Sequence, residues 1–228
     1  MERKARMRFS DELRQRAAST WDKEKAHPFV TGIGDGTLPL DNFRYYMRQD
    51  YVFLIEFCRA ISLAVAKART LEDMGWFAQM IHETLNMEMA LHVSFCADFD
   101  ITEEELLATY PSPTTWAYTR HMINTAHQGT VGETAAVILP CSWGYAEIGQ
   151  ALYVQGTPKD QPLYTRWIET YNSQEFADIA DWLRGFVDKH AETAGTSETE
   201  AMERAFRISS QYEYMFWDAA WRMEKWPV

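Results

Sequence analysis

The sequence predicts an all-α fold, and three observations carry that prediction. Apolar residues recur at helical spacing over long stretches. Ser or Thr precedes several stretches, with an acid three residues on or a proline next to it. No alternating run of Val, Ile and Thr is bounded by hairpin turns.

Taken in order, Leu13, Ala17 and Trp21 recur every four residues, which places them on one face of a helix over 9–25. His27-Pro28-Phe29-Val30 breaks that pattern, and the glycine-rich stretch 32–39, from Gly32 to Pro39, reads as the clearest loop in the chain. Helices are expected over 40–68 and 70–99. Thr102 opens TEEE, Thr130 opens TVGE and Ser197 opens SETE, while Ser112 stands directly before Pro113. Each hydroxyl can accept from an otherwise unpaired backbone N–H, so helices should begin near 103, 113, 131 and 198. The stretch 194–198, AGTSE, is the expected flexible connection between two helices of one bundle. With no internal repeat, low-complexity segment or long linker, the expectation is a single domain over 1–228 with seven or eight helices.

Composition narrows the function. Twenty-two basic against thirty-three acidic residues leave a formal charge of −11, which disfavours nucleic acid and anionic membrane as partners. The three cysteines, Cys58, Cys96 and Cys141, are widely spaced and form no CxxC pair, so a thiolate zinc site or a redox dithiol is not expected. MERKARMRFSDEL is followed by no apolar segment of the secretory type, and no stretch is apolar enough to span a bilayer. A reducing cytoplasm is the expected location. Aromatic residues make up 14% of the chain. Most are expected to fill the core, and a few to line a pocket for a flat ligand.

Three polar groups interrupt apolar helical surroundings. Cys141 follows Pro140 in ILPCSWGY, where proline removes a helix hydrogen bond and small neighbours leave space. It reads either as a buried structural cysteine in a bent helix or as a nucleophile, with Tyr145 four residues on along the same face. Asp50 interrupts a strongly apolar face continued by Phe53 and Phe57, so it needs either a buried ion pair or a ligand. Glu213 sits among Tyr212, Tyr214, Phe216 and Trp217; apolar surroundings raise a carboxyl pKa towards that of a general acid, unless Arg207 or another helix pairs with it. A separate cluster, His82, Glu83, Glu88 and His92, has spacings used by carboxylate-bridged metal bundles. Such bundles need a matching set on other helices, so an ion-paired helix face is preferred and no metal ligand is assigned.

Five co-linear segments resemble the TenA/thiaminase II family: 27–53 (HPFVTGIGDGTLPLDNFRYYMRQDYVF), 111–122 (PSPTTWAYTRHM), 138–149 (ILPCSWGYAEIG), 164–171 (YTRWIETY) and 208–217 (ISSQYEYMFW). The resemblance implies a haem-oxygenase-like helical bundle without haem, assembled as a homotetramer and needing no cofactor. It implies hydrolysis of 4-amino-5-aminomethyl-2-methylpyrimidine to the hydroxymethyl compound and ammonia in thiamine salvage, and cleavage of thiamine itself. By the family pattern Cys141 is the nucleophile, Glu213 the proton donor and Tyr118 a phenol supporting the thiolate. Asp50, Phe53, Tyr145 and Tyr171 fall at pyrimidine-contacting positions, although at Phe53 some members carry a tyrosine that polarises the cysteine. A non-catalytic binder of the same pyrimidines and a metal-dependent oxidase are the competing expectations.

Overall fold

A computed structural model describes residues 7–98 and 101–228. Those residues form twelve α-helices, one π-helical turn and no strand. The first three helices are short: α1 (Phe9–Arg16), α2 (Ala18–Lys25) and α3 (Pro28–Asp35). Long α4 (Leu40–Lys67) leads to α5 (Leu71–Glu83), the π turn (Thr84–Glu88), α6 (Met89–Ala97) and the single turn α7 (Glu103–Leu107). The remainder comprises α8 (Pro113–Gln128), α9 (Val131–Gln155), α10 (Pro162–Tyr171), α11 (Gln174–Thr193) and α12 (Thr196–Arg222). None of these helices is long and apolar enough to cross a membrane.

Most of the start signals operate as the sequence suggests. Thr102 and Thr130 each form a reciprocal capping box, with Glu105 and Glu133. Ser112 Oγ accepts from Thr115 N–H at 3.2 Å, with Pro113 at the first helical position. Ser197 does not cap. α12 begins at Thr196, two residues before the expected start, and the backbone carbonyl of Gly195 takes the first N–H groups, from Glu198 and Thr199. Only 194–195 separates α11 from α12.

Three other expectations are corrected. The stretch 9–25 is two helices, because Ala17 makes a turn between α1 and α2. The first half of the expected loop 32–39 is helix: His27 Nδ1 accepts from Phe29 N–H at 3.1 Å, Pro28 starts α3, and Gly36 ends it at φ 79°, a conformation that favours glycine. The glycines of α3 weaken its intrinsic propensity, but Phe29, Val30 and Ile33 are fully buried and hold it in place. The stretch 70–99 is interrupted by the π turn, and Phe99 lies outside the described residues. These breaks add three helices, and the stretch from Val131 to Thr193 holds three, α9, α10 and α11, so twelve are found among the described residues where seven or eight were expected.

The core is built around α9. Most of its residues from Val131 to Leu152 are buried, with Gln150 exposed and Glu133 and Glu147 half-buried, as expected of a helix that is apolar over most of its surface. Helix α12 runs parallel to it, and three contacts set the register. Gly132 packs on Met202, Ser209 Oγ donates to the Val137 carbonyl at 2.7 Å, and the Tyr145 and Trp217 rings lie 5.0 Å apart. One helical turn beyond the Val137–Ser209 bond, this register brings Cys141 level with Glu213. Helix α4 runs parallel to α8 in the same manner, tied by Gln49 to Ser112 N–H at 2.8 Å and by Lys67 to the Gly129 carbonyl. Asp50 and Phe53 of α4 therefore come to the same end of the core as Tyr118 of α8.

Candidate active site

Four of the residues singled out in the sequence share one small cavity: Asp50, Cys141, Tyr145 and Tyr171 all line it, together with Glu88 and Ser142. Its volume is about 30 Å³, room for a water or two. Typical ligand pockets run to hundreds of Å³; the rest of this lining is largely apolar, with Leu54, Phe57, Met80, Phe176 and Ile179. Glu213, Tyr118 and Phe53 stand behind this cavity, each almost wholly buried.

The inner wall is aromatic because α4, α9, α10 and α12 each contribute rings to it. Tyr145 lies 4.9 Å from Tyr171 and 5.0 Å from Trp217, and Trp167 lies 4.6 Å from Tyr171. Tyr171 reaches this position because α10 ends against Gly149: a Cβ there would fall 2.5 Å from the Tyr171 carbonyl carbon. Phe53 packs on Phe57, Tyr118 and Phe216 at 5.1–5.8 Å and faces the back of Tyr118.

The acid at Glu213 is held by Tyr118, whose hydroxyl donates to Glu213 Oε1 at 2.5 Å. The phenol thus reaches the carboxyl that stands level with the thiol. Burial pushes the Glu213 pKa up to about 8; the Tyr118 hydrogen bond pulls against that rise, and the Asp50 charge adds to it. Glu213 is protonated at neutral pH, as a proton donor must be. Cys141 is pushed well above the ordinary thiol range, first by burial and then by the charges of Glu213, Glu88 and Asp50. It is a thiol at neutral pH, and it can become a nucleophile only as its proton leaves.

Asp50 is not solitary. His92 Nε2 lies 2.7 Å from Asp50 Oδ2, and Tyr46 Oη donates to the same oxygen at 3.3 Å while accepting from Trp167 Nε1 at 3.2 Å. Burial lowers the His92 pKa, but Asp50 and Glu88 outweigh it, and the net shift is upward. The ion pair expected as one alternative for Asp50 is present, at a carboxylate that also lines the cavity. Tyr46, His92 and Trp167 were not singled out as site residues. Tyr46 and Trp167 lie within the resembling segments 27–53 and 164–171, and His92 within the His82–His92 cluster, but no spacing marked them for this site.

Glu88 enters the cavity through the π turn that it closes. In a regular α-helix, residues four apart drift about 40° around the axis at each step. The wider π turn takes up that drift, keeping Met80, Thr84, Glu88 and His92 on one inward line. Tyr171 Oη donates to Glu88 Oε1 at 3.2 Å, and burial and Asp50 raise the Glu88 pKa to about 7. Among the described residues, no group of three His, Cys, Asp or Glu side chains is disposed to hold a metal ion. Glu24 and His27, unlike Glu88 and His92, stand three apart as Glu-x-x-His, a spacing used in metal-binding bundles, but His27 caps α3 and its Nε2 lies 3.8 Å from Asp218.

The model of the TENA/THI-4/PQQC family matches residues 14–223 of this chain. The chain belongs to that family. It is 40% identical over 222 residues to an aminopyrimidine aminohydrolase of Halalkalibacterium halodurans, covering 96% of this chain and 98% of the relative. It is 40% identical over 220 residues to an aminopyrimidine aminohydrolase of Bacillus subtilis, covering 96% and 92%. Among solved structures, a TenA homologue from P. horikoshii OT3 superposes with a TM-score of 0.87 at 30% identity, covering 95% of this chain and 99% of that one. A protein from Shewanella denitrificans with a heme oxygenase-like fold superposes at 0.74 and 17% identity over 93% of this chain and 92% of that one, a likeness of fold alone. The all-α, haem-oxygenase-like bundle expected from the sequence is the fold of this family member.

Proposed function

We propose that this protein hydrolyses 4-amino-5-aminomethyl-2-methylpyrimidine to the 5-hydroxymethyl compound and ammonia in thiamine salvage, and cleaves thiamine by the same route, through a covalent adduct at Cys141. The observation that carries the proposal is the level placement of the Cys141 thiol and the protonated Glu213 carboxyl on parallel helices, beside an aromatic-walled cavity with Asp50 in its lining. The curated relatives bearing the name aminopyrimidine aminohydrolase, similar over almost their whole length, support the substrate class.

The chemistry follows from those groups. The thiol adds across a C=N bond of the ring, sulfur to carbon. Glu213 gives its proton to the ring nitrogen and takes the thiol proton in exchange, so neither a free thiolate nor a net charge has to build up in the buried site. Aromaticity is lost, and the lone pair of the 4-amino nitrogen can now push through the ring to the 5-methylene. The C–N bond breaks with its electrons on nitrogen, and a protonated aminomethyl arm leaves as ammonia. Asp50 accepts from the 4-amino group and strengthens that push. Water adds to the exposed methylene and gives up a proton. The adduct then collapses: the ring nitrogen returns its proton through Glu213 to the departing sulfur, and aromaticity is restored.

On this reading the protein works in a reducing cytoplasm, where its free thiols persist, and assembles as a homotetramer as its family resemblance implies. The test is incubation with the aminopyrimidine and with thiamine, following ammonia and thiazole separately. Cys141→Ala should abolish both while retaining the helical circular dichroism and the unfolding transition of the parent. Undiminished turnover in that variant rules out covalent catalysis at this position.

A further inference from the structure

The reaction above gives no task to Glu88, although it shares the cavity with Cys141, Asp50 and Tyr171. Its one side-chain hydrogen bond is the neutral donation from Tyr171, and the charges acting on it are those of Asp50 and His92. The carboxyl is brought there by a π turn, a distortion that recurs at functional sites. We propose that Glu88 is the receptor for the cationic arm of the substrate, and so the residue that distinguishes the charged aminomethyl compound from its neutral alcohol product. This inference rests on the aminopyrimidine reading.

The reasoning is electrostatic. A primary aliphatic amine is protonated at neutral pH, much as a lysine is. Bringing that cation into a small buried chamber is costly unless an anion meets it. Asp50 is already engaged by His92 and Tyr46, and serves the 4-amino group. Glu213 is engaged by Tyr118 and has to carry a proton for the ring. Glu88 remains, close enough to Cys141 for its charge to act on the thiol. A cation seated there also offsets part of the acidic field that keeps the thiol protonated. The arm departs as neutral ammonia and the product is a neutral alcohol, so the attraction is lost once the bond has broken.

Ammonia release and inhibition by the hydroxymethyl alcohol are measured for the wild type, Glu88→Gln and Glu88→Asp. Glu88→Gln should raise KM for the aminomethyl compound on the order of tenfold or more, while the inhibition constant of the alcohol stays within about twofold. Glu88→Asp, which keeps the charge, should restore most of the discrimination. An equal loss for both compounds, or no loss for either, overturns the proposal.

The unsubstituted protein supplies a second test that does not depend on a variant folding. Glu88 titrates near 7 while facing Asp50 and Cys58 from α4, His92 from α6, Cys141 from α9 and Tyr171 from α10; the side chains presented by α5 and α11 are uncharged. Calorimetric titration at pH 7 in two buffers of different ionisation heat should show about half a proton released per cation bound, since Glu88 is half protonated there, and none on binding the alcohol. Equal proton release by the two ligands also overturns the proposal. A wild type that binds both ligands with this contrast but releases no ammonia instead sinks the hydrolase reading and leaves the cation receptor standing.

Discussion

Replacing Glu213 by Gln should stabilise the protein at alkaline pH, by an amount the buried carboxyl itself sets. Its pKa rises from the ordinary 4.5 to about 8 on folding, mainly through burial. A carboxyl raised in the folded state contributes its full stability below the unfolded pKa and loses it as pH climbs through the folded one. At about 1.4 kcal/mol per pH unit, the loss comes to about 5 kcal/mol between pH 4.5 and 8. Glutamine keeps an oxygen to accept the Tyr118 hydroxyl and has nothing to ionise. Urea unfolding at half-unit steps from pH 5 to 9 should therefore show the two proteins diverging, with the variant gaining throughout and the difference levelling off above about 8. Glu88, raised to about 7 by burial and Asp50, drives a smaller loss of the same sign in both proteins and cancels from the comparison. Parallel stability curves for the two proteins would refute the claim that residue 213 is buried as a neutral acid.

Two further outcomes test the surroundings of the site. Tyr118→Phe removes the donor that holds the Glu213 pKa down, so the alkaline limb of kcat should move up from about 8 by about one pH unit, the effect of losing one hydrogen bond to a charged group; a pH–rate profile from 6 to 10 with an unmoved limb contradicts that role. Gly149→Ala would place a methyl group 2.5 Å from the Tyr171 carbonyl carbon, which should cost about 1–3 kcal/mol of stability and lower kcat/KM by displacing the Tyr171 ring, as denaturant midpoints and steady-state kinetics will show.

The helical class, the capped starts at Thr102, Ser112 and Thr130, and the buried character of α9 were all legible in the sequence. Each rests on local physics: a hydroxyl reaching an N–H three residues away, or a face whose apolar residues repeat with the helix turn. Cys141, Asp50 and Glu213 stood out singly as polar groups in apolar stretches, and only the family resemblance joined them. Their joining is a matter of register between helices. The Gly132–Met202, Val137–Ser209 and Tyr145–Trp217 contacts set residues 141 and 213 at one level, and no local spacing encodes a pairing across so many intervening residues. Local rules also misjudged 32–39 and Ser197, where burial of Phe29 and Ile33 and the Gly195 carbonyl outweighed glycine content and a nearby hydroxyl. The π turn at Thr84–Glu88 was equally out of reach. A wide turn is unfavourable by itself and persists because the packed wall of the cavity holds Glu88 and His92 inward, a force that exists only once the bundle has closed around them.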